Sequence, residues 1–240
     1  MNLLSSQGGE TPPTDGSSLP TSSYLAMAFV MAEKGLVLEE EEFKLLPSRW
    51  SNAGKSPTLD LLNDGLEIRY MGPPLHFTVA GVRTDYPIPR QLSFYYFEVT
   101  IITISNERAI SIGVSNAKVF DDPILFNRAR HSWDYVGNDD KPYVFLGLGR
   151  VNSPTLTVND TVGCGVDFTT GYSFFTKNGT FLGSSFRIPQ DVTVYPSVFI
   201  EKIPGTHLSV NFGQQGFVFD VDGMLKVCPW EHRYRTNLKH

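Results

Sequence analysis

Disulfide chemistry is almost absent from this chain. Its 240 residues hold two cysteines, Cys164 and Cys228, too few for a disulfide framework or a thiolate metal site. Cys164 falls in an alternating apolar stretch and reads as a small buried hydrophobe, Cys228 as a surface thiol; this usage suits a reducing compartment. Basic charge is also scarce. Twenty Lys and Arg against 25 Asp and Glu leave a formal charge of −5, so no basic field draws in nucleic acid or an anionic membrane. No apolar run reaches the ~18 residues of a membrane span. The stretch "YLAMAFVMA" at 24–32 is too short and lacks the basic segment that precedes a signal sequence. A Gly-X-Ser-X-Gly elbow is missing, and "GLGR" at 147–150 has no Walker lysine.

What the chain has is turn residues and aromatics: 21 Gly, 16 Pro and 12% Phe, Trp and Tyr. Residues 1–45 read as a flexible leader, Ser/Thr/Pro/Gly-rich to 23, with room for a short helix over 24–34 and a solvated "EEEE" at 39–42. From Leu46 onward, short apolar runs alternate with Gly, Pro, Asn and Asp. Ile110, Ile112 and Val114 share one face of "RAISIGVSN"; Val158, Val162, Cys164, Val166 and Phe168 share one face of the next alternation; Leu208, Val210 and Phe212 do so in a third. Period two with one apolar face marks antiparallel strands packed on a core. "YYFEVTIITI" is apolar on both faces, as an inner strand would be. In "SFFTKNGTFLG" the Asn178-Gly179 pair predicts a type I′ hairpin, because both central residues need positive φ; Phe174-Phe175 should then face Phe181-Leu182. With no long helical pattern and no fixed repeat, the expectation is an all-β fold, a two-sheet antiparallel sandwich with short flanking helical segments.

Six stretches carry a resemblance: "VRTDYPIPRQLSFYYFEVTI" at 82–101, "ISIGVS" at 110–115, "VGCGVD" at 162–167, "FFTKNGTFLG" at 174–183, "VYPSVF" at 194–199 and "VNFGQQGFVFDVDGM" at 210–224. In this order and spacing they resemble the SPRY domain family over residues 46–225, leaving 226–240 as a C-terminal tail. Within it, "LPSRWSNAGKSPTLDLLNDGLEIRY" and "FVFDVDGML" are similar to the subgroup of Ran-binding protein M, the scaffold of the GID/CTLH ubiquitin ligase. The resemblance implies a bent, concanavalin-like sandwich without enzymatic activity or cofactor, cytoplasmic or nuclear, monomeric, and binding another protein through loops at one end. Ending at residue 240, the chain is expected to lack the LisH, CTLH and CRA helical regions of the full-length scaffold. In "NRARHSWDYVGNDDK", His131, Ser132, Tyr135, Gly137 and Asp139 hold family positions. Arg128 stands where the family usually has Trp, Asp134 and Asp140 where it has glycines, and Val136 where it has His.

His131, Ser132 and Asp134 lie too close in sequence for a hydrolytic triad, which draws its members from distant segments. No catalytic residue and no metal ligand is expected. The partner-binding candidates are Arg83, Asp85, Tyr86, Trp133, Tyr135 and Asp139. Arginine and aromatics carry interface energy, and the prolines of "GVRTDYPIP" hold the first three extended near a loop edge. The competing reading pairs Arg83 with Asp139 and sends Tyr86 and Tyr135 into the core. Two other functions remain open: an adaptor of the fungal endosomal SPRY type, disfavoured because Pro73-Pro74 are followed by Leu-His, and a carbohydrate-binding or hydrolytic sandwich, which requires a deep acidic cleft.

Overall fold

The alternating stretches become strands. A computed structural model of the chain describes residues 45–104, 110–121, 156–188 and 190–227. Its strands are β1 (Trp50–Lys55), β2 (Leu59–Leu62), β3 (Glu67–Tyr70), β4 (Leu75–Thr84), β5 (Phe94–Thr103), β6 (Ile110–Ser115), β7 (Thr161–Asp167), β8 (Tyr172–Lys177), β9 (Thr180–Arg187), β10 (Tyr195–Lys202) and β11 (His207–Asn211). Two short helices, α1 (Lys118–Asp121) and α2 (Val221–Val227), accompany them. A four-stranded sheet runs β1-β4-β10-β6 and a seven-stranded sheet β2-β3-β11-β5-β7-β8-β9. Every pairing is antiparallel. β5, apolar on both faces, is the central strand of the larger sheet.

The two sheets close on one core. Ile110, Ile112 and Val114 from the small sheet meet Val162, Cys164, Val166, Leu208, Val210 and Phe212 from the large one. Each such side chain contributes roughly 1.5–3 kcal/mol by leaving water. Val158 departs from its predicted face: it lies in the turn before β7 and is half-exposed. Trp50 closes the core edge-on against Phe212, ring centres 5.0 Å apart.

The outer face of the large sheet is covered over β5, β7 and β8. Phe94, Tyr96 and Phe174 form a second cluster there with Phe219 and Val221 of the C-terminal segment, which crosses the sheet as a strap. Glycine makes the room. A Cβ at Gly163 would lie 1.8 Å from the Tyr96 hydroxyl oxygen, and one at Gly165 2.0 Å from the Phe174 ring. Glu98, 3% exposed, fastens the strap: its carboxylate accepts from the backbone N–H of Val218 (2.9 Å) and Phe219 (3.0 Å) and from the Tyr96 hydroxyl (3.0 Å). Burial first, and the neighbouring Glu98 charge second, push the Tyr96 hydroxyl far up, so it remains a donor.

Asn178 (φ 50) and Gly179 (φ 77) form the expected tight turn between β8 and β9. The facing of its flanks differs in part from expectation. An irregularity between Phe175 and Thr176 shifts the register, so Phe174 lies opposite Ser184 and Phe175 opposite Gly183. An extra residue in one strand turns its following side chains to the other face. Phe174 packs under the strap and still meets Phe181 across the hairpin, ring centres 5.4 Å apart, as expected; Phe175 joins the inter-sheet core instead, and Phe181 and Leu182 stay half-exposed on the edge strand. The hairpin tip also braces the strap: a Cβ at Gly179 would lie 3.0 Å from the Val218 carbonyl oxygen.

Candidate functional site

Two segments meet where the chain enters β1 and leaves β4. Between them lies an open cleft of about 270 Å³ lined by Ser48, Arg49, Asp85 and Tyr86. Trp50 points inward, so the alternation of an extended chain turns its neighbour Arg49 outward, and Arg49 is exposed. Asp85 and Tyr86 are exposed on the other side, Tyr86 by 42%. Among the described residues neither Arg49 nor Asp85 has a hydrogen-bond or ion-pair partner, and they do not pair with each other.

The backbone beneath these side chains is fixed. On the Arg49 side, the Tyr95 hydroxyl donates to the Pro47 carbonyl (2.8 Å) and Gln214 Nε2 to the Ser48 carbonyl (2.7 Å). On the other, the Thr84 hydroxyl donates to the Tyr86 carbonyl (2.7 Å) and the Ile88 N–H to the Val194 carbonyl (2.9 Å). Further along, Arg90 bonds the Val192 carbonyl and lies 5.0 Å over the Phe168 ring. Ile88 and Leu92 are buried. The loop after β4 is thus tied to the core at several points, which fixes the backbone from which Asp85 and Tyr86 project.

Of the predicted contact residues, Asp85 and Tyr86 come together at this cleft. Arg83 does not line it. It sits on the outer face of the small sheet, its guanidinium 4.5 Å over the Tyr195 ring and 5.9 Å over that of Phe120, with Nη1 donating to the Thr84 carbonyl at 2.9 Å. Gly54 makes way for it: a Cβ there would lie 2.7 Å from Arg83 Cγ. Trp133, Tyr135 and Asp139, like His131, Ser132 and Asp134, lie outside the described residues. Arg49 and Ser48 were missed by sequence reasoning. The available signal was the strict alternation at "SRW", which buries Trp50 and so exposes Arg49 next to a proline-fixed bend.

The chemistry open to this site is recognition. Among the described residues no group of three or more His, Cys, Asp and Glu could hold a metal. Cys164 is wholly enclosed and burial pushes its thiol far up, so it is no nucleophile. No helix among the described residues is long and apolar enough to cross a membrane.

Comparison with known proteins follows the same line. The SPRY domain family matches residues 94–215. The "Ran-binding proteins 9/10 homolog" of Drosophila melanogaster is 37% identical over 195 residues, covering 80% of this chain and 19% of its own length. "Ran-binding protein 10" of Danio rerio is 36% identical over 184 residues, 76% of this chain and 30% of its own. The chain therefore spans about a fifth to a third of the length of these relatives. Among solved structures, the SPRY domain of human HERC1 overlays 67% of this chain and 99% of its own, with a TM-score of 0.45 at 15% identity.

Proposed function

The chain belongs to the SPRY domain family of protein-interaction modules, and from that premise we propose that it recognises a short peptide segment of a partner protein at the Arg49–Tyr86 cleft. The observation that carries the reading is the combination of a pinned backbone with unpaired charges and an exposed tyrosine. Rigid loops lower the ordering cost of association, and Tyr and Arg are the residues from which interfaces draw most of their energy. A volume near 270 Å³ falls just below that of drug-sized pockets, roughly 300–1,000 Å³, and suits one or two side chains of a longer ligand. Trp133, Tyr135 and Asp139, outside the described residues, remain proposed partner contacts from the sequence, whereas the packing of Arg83 on Tyr195 supports a role in the scaffold. The resemblance to Ran-binding protein M supports a ubiquitin-ligase setting in cytoplasm or nucleus, with this domain docking a substrate or a substrate receptor.

The test is selection from a random peptide library on the immobilised full chain, followed by calorimetric titration of the selected peptides. Tyr86→Ala should weaken them at least tenfold, a loss of ~1.4 kcal/mol or more, while the melting temperature moves by no more than a degree or two. Failure to select any peptide, or equal affinity for the variant, would remove the reading.

A further inference from the structure

Arg49 and Asp85 bring opposite charges to one cleft from two separately anchored segments, and neither is neutralised by another of the described residues. Charges that serve only solubility need no such anchoring. Here the carbonyl beside Arg49 is held by Gln214 and the loop carrying Asp85 by the Thr84 hydroxyl, so the order of plus and minus along the cleft is fixed by the fold. The chain as a whole carries a formal −5, which favours any basic ligand without regard to sequence. A fixed pair of opposite charges does something different: it favours a ligand that carries both signs over one that carries either sign twice, since like charges set face to face are penalised.

We propose that the cleft reads a pair of opposite charges. Its occupant is an extended segment of a partner protein carrying one acidic and one basic side chain two positions apart, the acid on Arg49 and the base on Asp85, with the intervening chain against Tyr86. That spacing turns both side chains of an extended segment to one face, about 7 Å apart. The arginine fork accepts a carboxylate in bidentate fashion, which fixes the register of the segment as well as holding it. The proposal rests on the peptide-binding reading above and adds to it the chemistry of the partner and the direction in which the partner lies.

The experiment uses the full chain and four synthetic peptide pools that differ only at two fixed positions, Glu-X-Arg, Glu-X-Glu, Arg-X-Arg and Gln-X-Gln, with all other positions degenerate. Wild type should enrich the Glu-X-Arg pool at least tenfold over each of the other three. Asp85→Arg should shift the enrichment to Glu-X-Glu, and Arg49→Glu should shift it to Arg-X-Arg, while circular dichroism and melting temperature stay those of wild type. Wild type that captures all four pools alike overturns charge reading and leaves peptide binding standing. Single variants that keep the wild-type preference overturn it as well. Capture of none of the pools, in an assay where a random library also yields nothing, removes both readings together.

Discussion

Asp160 and Asp85 are both aspartates beside a turn, and the protein treats them in opposite ways. Asp160 accepts from Asn178 Nδ2 at 2.7 Å, from the Thr157 N–H at 2.7 Å and from Lys177 Nζ at 2.9 Å. Burial by itself raises its carboxyl, but the bonds from Asn178, Lys177 and Thr157 outweigh burial and hold it well below the usual carboxylate range. Asn178 also takes the Thr161 N–H at 2.8 Å. The hairpin end is closed: its polar groups point at one another, its tip braces the strap, and Glu98 ties that strap to β5. Asp85 and Arg49, on equally fixed backbone, have no hydrogen-bond or ion-pair partner among the described residues. Side chains that satisfy each other define geometry, while side chains left unsatisfied on a rigid frame are available to another molecule.

The largest effect that can break this contrast is at Glu98. Replacing it with Ala leaves the buried Phe219 N–H and the part-buried Val218 N–H without their acceptor, and leaves the Tyr96 hydroxyl only Thr176 Oγ1 at 2.7 Å. Unmade buried hydrogen bonds cost ~1–3 kcal/mol each, so Glu98→Ala should lower unfolding free energy by about 4 kcal/mol in urea titration and free the strap to proteolysis. Glu98→Gln keeps an acceptor and should lose less than half as much. If Glu98→Ala melted like wild type, the strap would not be held as described.

At the turn, backbone and side-chain contributions separate. Asn178→Ala meets the left-handed conformation without a suitable residue and also loses the bonds to Thr161 and Asp160, together about 2–3 kcal/mol. Asn178→Gly keeps the conformation and loses only the bonds, about 1 kcal/mol. The pH dependence follows from Asp160. Its folded carboxyl lies below the ordinary carboxylate range, so the unfolded chain takes up the proton first. The stability it contributes is complete above that range and is lost as pH falls through it toward the folded value. Asp160→Asn should flatten the acid limb of a melting-temperature profile. An unchanged limb would show that Asp160 is not the group whose protonation weakens the hairpin end.

Much of this frame is written in local patterns. The inward faces of β6, β7 and β11 follow from alternation, and Asn178-Gly179 states its own turn. The strap was legible only in part. "FVFDVDGM" is visibly apolar, but that it lies on Tyr96 and Phe174, over Gly163 and Gly165, depends on contacts across more than forty residues of sequence that no local period encodes. For the same reason the register shift at Phe175 escaped detection, since a bulge leaves composition unchanged. At the cleft, Asp85 and Tyr86 announced themselves just before two prolines, Pro87 and Pro89. Arg49 did not, because its meaning comes from lying across from Asp85 in space, thirty-six positions away in the chain.

The smallest expected effect is therefore the sharpest test of the contrast. If Arg49 and Asp85 are unpaired, removing either takes away no internal bond. Arg49→Ala and Asp85→Ala should each stay within ~0.5 kcal/mol of wild type in urea, as exposed positions without partners do. Their double variant should equal the sum of the singles, with a coupling under about 0.5 kcal/mol. The same cycle on Lys177 and Asp160, an ion pair at 2.9 Å whose side chains are 19% and 10% exposed, should return a coupling of about 1 kcal/mol or more, because partial burial weakens the screening that makes surface pairs negligible. A cleft coupling as large as the hairpin's would mean that Arg49 and Asp85 hold each other in solution. Their charges would then serve the scaffold, and a ligand would have to break that pair before it could bind.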